Sequence, residues 1–246
     1  MQVRYLLIAL ALLLFTAPAS AQFDKTLGRL KKQADAVLSG QAPLSEEEVG
    51  NGLKEALNVG IKEAVGFLSA EDGYYASPYK ILLPEEAQTV VKRASALPGL
   101  GNVEQDLIER VNRAAELAAN EAGPIFVDAI KAMTIKDAMN LLLGDKDAAT
   151  RYLESSAGPN LQAAFLPVIK NSLDEVNATE IWEKAATAYN KIPFSKKVET
   201  ELDVYVTTRA LEGMFALVEK KERELRDQPA LRNSELLRKV FARQDK

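Results

Sequence analysis

Neither cysteine nor histidine occurs anywhere in the 246 residues. Without cysteine there is no disulfide, so the fold must be held by packing, and thiol nucleophiles, paired-cysteine redox centres and zinc–thiolate sites are excluded. Without histidine the Ser-His-Asp arrangement, imidazole acid/base chemistry and the histidine ligands common to zinc and to carboxylate-bridged metal sites in helical bundles are excluded as well. Any catalysis is left to carboxylates, lysine, tyrosine or serine, and any metal to oxygen ligands. Strand signals are nearly missing, aromatics make up 7% of the chain, and tryptophan occurs once. Long apolar runs are missing too beyond the first residues, so no later segment is expected to cross a membrane, which takes about 20 apolar residues in a helix.

Those first residues, MQVRYLLIALALLLFTAPASAQ, have the three parts of a secretory leader. Arg4 supplies a short positive start, Leu6 to Phe15 is an uncharged apolar run too short to span, and Ala19-Ser20-Ala21 suits cleavage. The expected division is a leader at 1–21 and a single domain at 22–246, exported to the periplasm and soluble there. No cysteine follows the apolar run, so no lipid anchor is expected. Removal of Arg4 with the leader leaves 30 basic against 35 acidic residues, a net charge of −5. That balance argues against a nucleic-acid partner, whose binding rests on neutralising phosphates.

Helical periodicity dominates what remains. Phe23, Leu27, Leu30, Ala34 and Val37 recur at helical spacing. Ser45-Glu46-Glu47-Glu48 opens a second helix, in which Gly50, Gly52, Gly60 and Gly66 imply close approach of other helices. Glu71 to Pro84 is the least helical stretch, with Asp72-Gly73 as a turn, Tyr79 to Leu83 short and extended, and three tyrosines in six residues. Its aromatic rings either fold down on the core or form an exposed binding loop, and the first is favoured. Asn102 with Gln105 should cap the helix that follows. Gly123-Pro124 restarts the chain, Thr134 with Asp137 forms a capping box, and Gly144 ends that helix. Gly158-Pro159 separates the next helix from one at Leu161 to Val176, kinked at Pro167. Asn177 and Glu180 cap a helix carrying Trp182. The longest helix runs from Val198 to Arg226, its final EKKERELRD solvated, and Ser234 to Phe241 is a short last helix. The fold class is therefore all-α, eight to ten helices in one domain.

Polar residues interrupt the apolar faces most often between Val103 and Gly158. Asn112 and Glu116 are four apart beside the stripe of Leu107, Val111, Ala114, Ala115 and Ala118. Arg113 could meet an anionic group, with Asn112, Thr150 and Tyr152 supplying hydrogen bonds and Glu116 and Asp137 close by. The blander reading pairs Arg113 with Glu116 or Asp137 to hold helix register, and it is the more common outcome. Glu116, Asp128, Asp137 and Asp147 are the carboxylates available to a hydrolase of the two-acid or oxygen-ligated-metal kind. Each also has a capping or surface explanation. Gly99 and Gly101 make no phosphate loop, because no strand precedes them and no Gly-Lys-Ser/Thr follows. No cofactor and no metal are expected.

Asn112-Arg113-Ala114-Ala115-Glu116, Met133-Thr134 with Asp137-Ala138, Gly144, and Ala148-Ala149-Thr150-x-Tyr152 share their order with an established pattern. So do Leu53-x-x-Ala56-Leu57, Asp72-Gly73, Ile81-x-Leu83-Pro84, Phe165-x-Pro167, Gly213-x-Phe215 and Arg226-x-x-Pro229. Through them the chain resembles a family of exported bacterial proteins known as domain of unknown function 4197, over nearly the whole length after the leader. The resemblance implies an exported, helical, single-domain protein and supplies no reaction or catalytic residue. A lipid-attachment cysteine found in some members has no counterpart here. The leading expectation is a non-catalytic binding or interaction protein of the envelope, whose partner is an unknown small ligand or envelope protein. A carboxylate hydrolase is the alternative. A lipid-surface protein, touching anionic lipid through Lys25, Arg29, Lys31 and Lys32 beside Phe23, Leu27 and Leu30, is a further one.

Overall fold

A computed structural model describes residues 44–84, 88, 91, 102–175, 178–190, 193–194, 197 and 201–242. The leader, the first amphipathic helix with its basic residues, the Asn177 cap and the glycines near residue 100 lie outside them. The chain divides after Ser45, and the second unit, Glu46–Lys246, holds every helix described here. In chain order these are α1 (Glu46–Leu68), α2 (Val103–Ala119), α3 (Ala122–Ala132), α4 (Ile135–Leu143), α5 (Ala148–Asp174), α6 (Ala178–Asn190), α7 (Leu202–Asp227) and α8 (Glu235–Phe241). A single 3-10 turn, Pro229–Leu231, joins α7 to α8. Eight α-helices and no strand among the described residues make the domain all-α, as periodicity indicates.

Helix α1 starts beside three acids, Glu46, Glu47 and Glu48, which suit its positive N-terminal end. Its buried stripe runs through Val49, Leu53, Ala56, Leu57, Ile61, Ala64 and Leu68. Two of its four glycines answer to close packing. A Cβ on Gly50 would lie 2.8 Å from Cδ1 of Ile135 in α4, and one on Gly52 would lie 2.6 Å from Cγ2 of Val240 in α8. Gly66 has nothing within 4 Å, so the same account does not extend to it.

Helix α7 is central, packing against α5, α1, α2 and α6. Its buried face carries Leu202, Val206, Ala210, Met214, Phe215, Leu217 and Val218, each large aliphatic or aromatic side chain stabilising the fold by about 1.5–3 kcal/mol. Phe215 meets Phe126 of α3 edge to face at 5.7 Å, and Trp182 of α6 stacks on Tyr205 at 6.3 Å.

Helix α5 corrects the expected break at Gly158-Pro159: Pro159 and Pro167 both lie inside one continuous helix. Each proline removes a backbone donor from the carbonyl four residues earlier, here Ser155 and Ala163. Those two residues and both prolines are exposed, so water can take the freed carbonyls. The opposite face stays apolar without interruption through Leu153, Ala157, Leu161, Phe165, Ile169 and Leu173, and tertiary packing carries the helix across both prolines.

Candidate functional site

The non-helical stretch after α1 is laid down on α2 and α7. Asp72 has a positive φ of 67°, which an aspartate tolerates better than most residues. At the next position a Cβ would come within 2.3 Å of the Phe67 carbonyl, so only glycine fits at Gly73. Tyr74 then turns inward, fully buried, and its hydroxyl donates to the Ala210 carbonyl of α7 at 2.7 Å. Burial, with the Glu116 charge second, pushes its phenol far above the ordinary range, so it is a fixed donor. Gly213 makes room: a Cβ there would sit 3.1 Å from the Tyr74 ring and 3.3 Å from Cβ of Tyr79. The tyrosine-rich loop is thus folded down on the core. The expected extended piece at Tyr79 to Leu83 forms no strand.

Asn112 and Glu116 satisfy the backbone of that loop. Asn112 accepts from the Ile81 N–H and donates to the Ile81 carbonyl, both at 2.8 Å, with a second donation to Ile108 at 2.7 Å. This is the pairing a neighbouring strand would offer, supplied by one amide. Glu116 accepts the N–H groups of Tyr74 and Tyr75 on a single oxygen at 3.0 and 3.1 Å. Its other oxygen accepts from Arg113 at 2.8 Å. Arg113 reaches on to Asp72 at 2.8 Å, with Glu71 and Glu109 each at 3.9 Å. Hydrogen bonds that it donates to Glu116 and then to Asp72 hold its guanidinium charged more firmly than usual. Among the described residues the hydrogen bonds and ion pairs of Arg113 go to acids, and its guanidinium lies over the Tyr75 ring at 5.3 Å, which argues against a free anion-binding arginine. Gln105 donates to the Tyr75 hydroxyl at 2.7 Å. The expected Asn102 cap is a correction: Asn102 makes no side-chain capping bond, and Gln105 is drawn to the loop instead.

Thr150 belongs to a different place. It is buried at the start of α5, where its N–H and hydroxyl both donate to Glu222 of α7, at 2.8 and 2.7 Å, beside the Ala149 N–H at 3.1 Å. Asp147, the residue in the capping position, makes no cap bond and pairs with Arg151 at 3.3 Å. Glu222 therefore acts as a cap from another helix, on the two N–H groups that a local cap would take. Arg226 donates to Glu222 at 2.8 Å and to the Leu142 and Leu141 carbonyls at 3.0 and 2.9 Å. It closes the C-terminal end of α4 as its partner opens α5. Arg232 does the same for α7, donating to Leu225 and Arg226 at 3.1 and 2.8 Å.

Asp137 and Tyr152 form a third place. Asp137 completes the capping box with Thr134 at the start of α4. Its carboxyl is held below the usual range by the Thr134 hydroxyl and then the Thr134 N–H. Tyr152 is half-buried and its phenol is raised by burial and then by the Asp137 charge. The six nominated residues therefore fall into a trio at the loop, one residue in the Glu222 network, and a pair near the start of α4.

The acids proposed for hydrolysis are similarly apart, on α2, α3, α4 and before α5. Glu116 is buried against backbone, Asp128 is exposed and pairs with Lys131 at 3.5 Å, and Asp137 and Asp147 have the partners just named. Among the described residues no group of three or more metal-ligating side chains could hold an ion.

Glu222, Arg226 and Arg232 were not nominated, and the expected solvation of EKKERELRD is corrected at Glu222 and Arg226, which are buried, as is Arg232 beyond the run, while Lys220, Arg223 and Asp227 are exposed. The charge run conceals the signal. Met214, Val218, Glu222 and Arg226 are four apart in sequence, so the core face of α7 continues straight into the charged segment.

Two of the concavities among the described residues border these networks. One is a polar cleft of about 410 Å³ between α2 and α5, lined by Asp106, Glu109, Arg110, Arg113, Ser172 and Glu175 among others. The other is a largely apolar cavity of about 120 Å³ between α1 and α7, with the Glu222–Arg226 pair in its wall. No helix among the described residues is long and apolar enough to cross a membrane.

No curated protein and no solved structure matches the chain. A family model does, across residues 43–242, from just before α1 to the end of α8. Loop, both glutamate networks and both concavities fall within that span, and the chain belongs to the family described as protein of unknown function (DUF4197).

Proposed function

We propose that this chain is an exported, periplasmic binding or interaction protein of the bacterial envelope that carries out no catalysis. The observation behind the proposal is the engagement of the two buried carboxylates, Glu116 and Glu222, each with both oxygens held by backbone N–H groups or arginine. A general acid or base needs an oxygen directed at substrate, and these point at the fold. The leader-like start supports export.

Expression with the native N-terminus, fractionation and intact mass test the location. A periplasmic product beginning at Gln22 is expected, and a cytoplasmic product with residues 1–21 retained defeats it. Native mass spectrometry of the same material, with cross-linking in intact cells, tests the binding reading. Either a defined adduct or a specific envelope partner is expected. Turnover of a hydrolase substrate panel that disappears in Glu116→Gln, with folding intact, would overturn it.

A further inference from the structure

We propose that the cavity between α1 and α7 is a binding site for a small uncharged hydrocarbon group, about the size of one aromatic ring. The inference rests on the binding reading above and adds to it a place and a ligand class. Leu53, Leu57 and Ile61 of α1, Val218 and Leu225 of α7, and Phe241 of α8 contribute the apolar lining. The volume of about 120 Å³ is comparable to apolar cavities of roughly 150 Å³ that remain dry and take up benzene.

The chemistry of the wall selects against polar ligands. Glu222 accepts from Ala149, Thr150 and Arg226, and Arg226 donates in addition to Leu141 and Leu142. A polar ligand would have to break those bonds, or the pairs of Lys221 with Glu63 and Glu224 that complete the lining, to gain its own, and a charged one would be desolvated beside ion pairs already neutralised internally. A hydrocarbon gains contact with the apolar wall and disturbs neither. The cavity is flanked by an ion pair that bridges the two helices, Lys221 to Glu63 at 3.0 Å, with Glu224 at 3.6 Å from the same ammonium. These are partly exposed groups of low cost to separate, suited to admitting a ligand without unfolding either helix. Gly60 keeps this side open, because a Cβ there would meet only Cβ of Lys221, at 3.6 Å.

The test is a titration of methyl-labelled protein with benzene, followed by NMR, with benzoate and benzylammonium as charged counterparts of similar size. Saturable shifts confined to the methyls of Leu53, Leu57, Ile61, Val218 and Leu225 are expected, with either charged ring binding roughly tenfold or more weakly, the factor that corresponds to about 1.4 kcal/mol. Gly60→Leu should fill the space and abolish the shifts. Glu63→Gln, exposed and outside both buried networks, should leave the fold intact and speed exchange of benzene. Absence of saturable shifts in the wild-type protein, or equal binding by folded Gly60→Leu, overturns the site. So does preference for a charged ring. Should Gly60→Leu fail to fold, Leu57→Ala decides instead: the enlarged cavity should accept indole, and no gain there counts against the proposal. Failure of this titration with a periplasmic adduct or partner still found would remove the cavity alone, whereas benzene binding without either would remove the envelope reading alone.

Discussion

Glu116 and Glu222 do the same thing in two parts of one molecule, and the contrast lies in what surrounds them. Each is buried, accepts two consecutive backbone N–H groups from another element, and pairs with an arginine on its own helix. At Glu116 the captured segment is a loop, and the Arg113 side chain is 31% exposed with Asp72, Glu71 and Glu109 near it. At Glu222 the captured segment is a helix N-terminus, and the Arg226 side chain is 4% exposed with its other donors on the end of α4. Water can replace part of the first network if it is broken. Little can replace the second, since an arginine that buried would be left without its carboxylate. The polar residues nearest the surface are thus the more replaceable ones.

The largest effect expected is therefore at the inner network. Glu222→Ala should destabilise the protein by about 3–5 kcal/mol, the range for breaking a buried ion pair, measured by chemical denaturation. Glu116→Ala should cost less, about 2 kcal/mol for buried amides left without an acceptor. Hydrogen exchange would sharpen the contrast: Tyr74 and Tyr75 amides should lose protection while Ala149 and Thr150 keep theirs. Equal losses for the two glutamates would break the comparison.

Thr207 supplies the converse on the same helix as Glu222. Its buried hydroxyl has no hydrogen-bond partner among the described residues, so Thr207→Val should stabilise by about 1 kcal/mol, seen as a raised Tm. Arg113→Ala should cost only about 0.5 kcal/mol, less in high salt, because that pair is partly solvated and screened. The smallest effect concerns pH. Asp137 has a folded carboxyl held low by Thr134, so its stabilising contribution is present above the unfolded carboxylate range and disappears as pH falls through its folded value. Stability against pH for Asp137→Asn should be flatter over that acidic window.

The Thr134–Asp137 capping box was readable in advance because both partners lie within one turn. Asn112 and Glu116 could be picked out as polar residues beside an alanine face, yet their partners are loop backbone groups 31 to 42 positions away. Asp147 illustrates the limit from the other side. Its position and residue type suit a cap, and a glutamate 72 to 73 positions from the capped residues does the capping. Residue identity names what a side chain can bond, and only packing brings the alternative acceptors close enough to compete.

The amino-acid sequence by itself settled the helical class, the exclusion of thiol and imidazole chemistry, the Thr134–Asp137 capping box and the apolar stripes. These follow from residue type and from periods of a few residues. Tertiary structure decided that α5 runs through two prolines, that Glu222 and Arg226 in the charged end of α7 are buried, and that the nominated polar residues serve three places. Each of those outcomes depends on which helix face meets which, a choice governed by burial summed over the whole core rather than by any one segment.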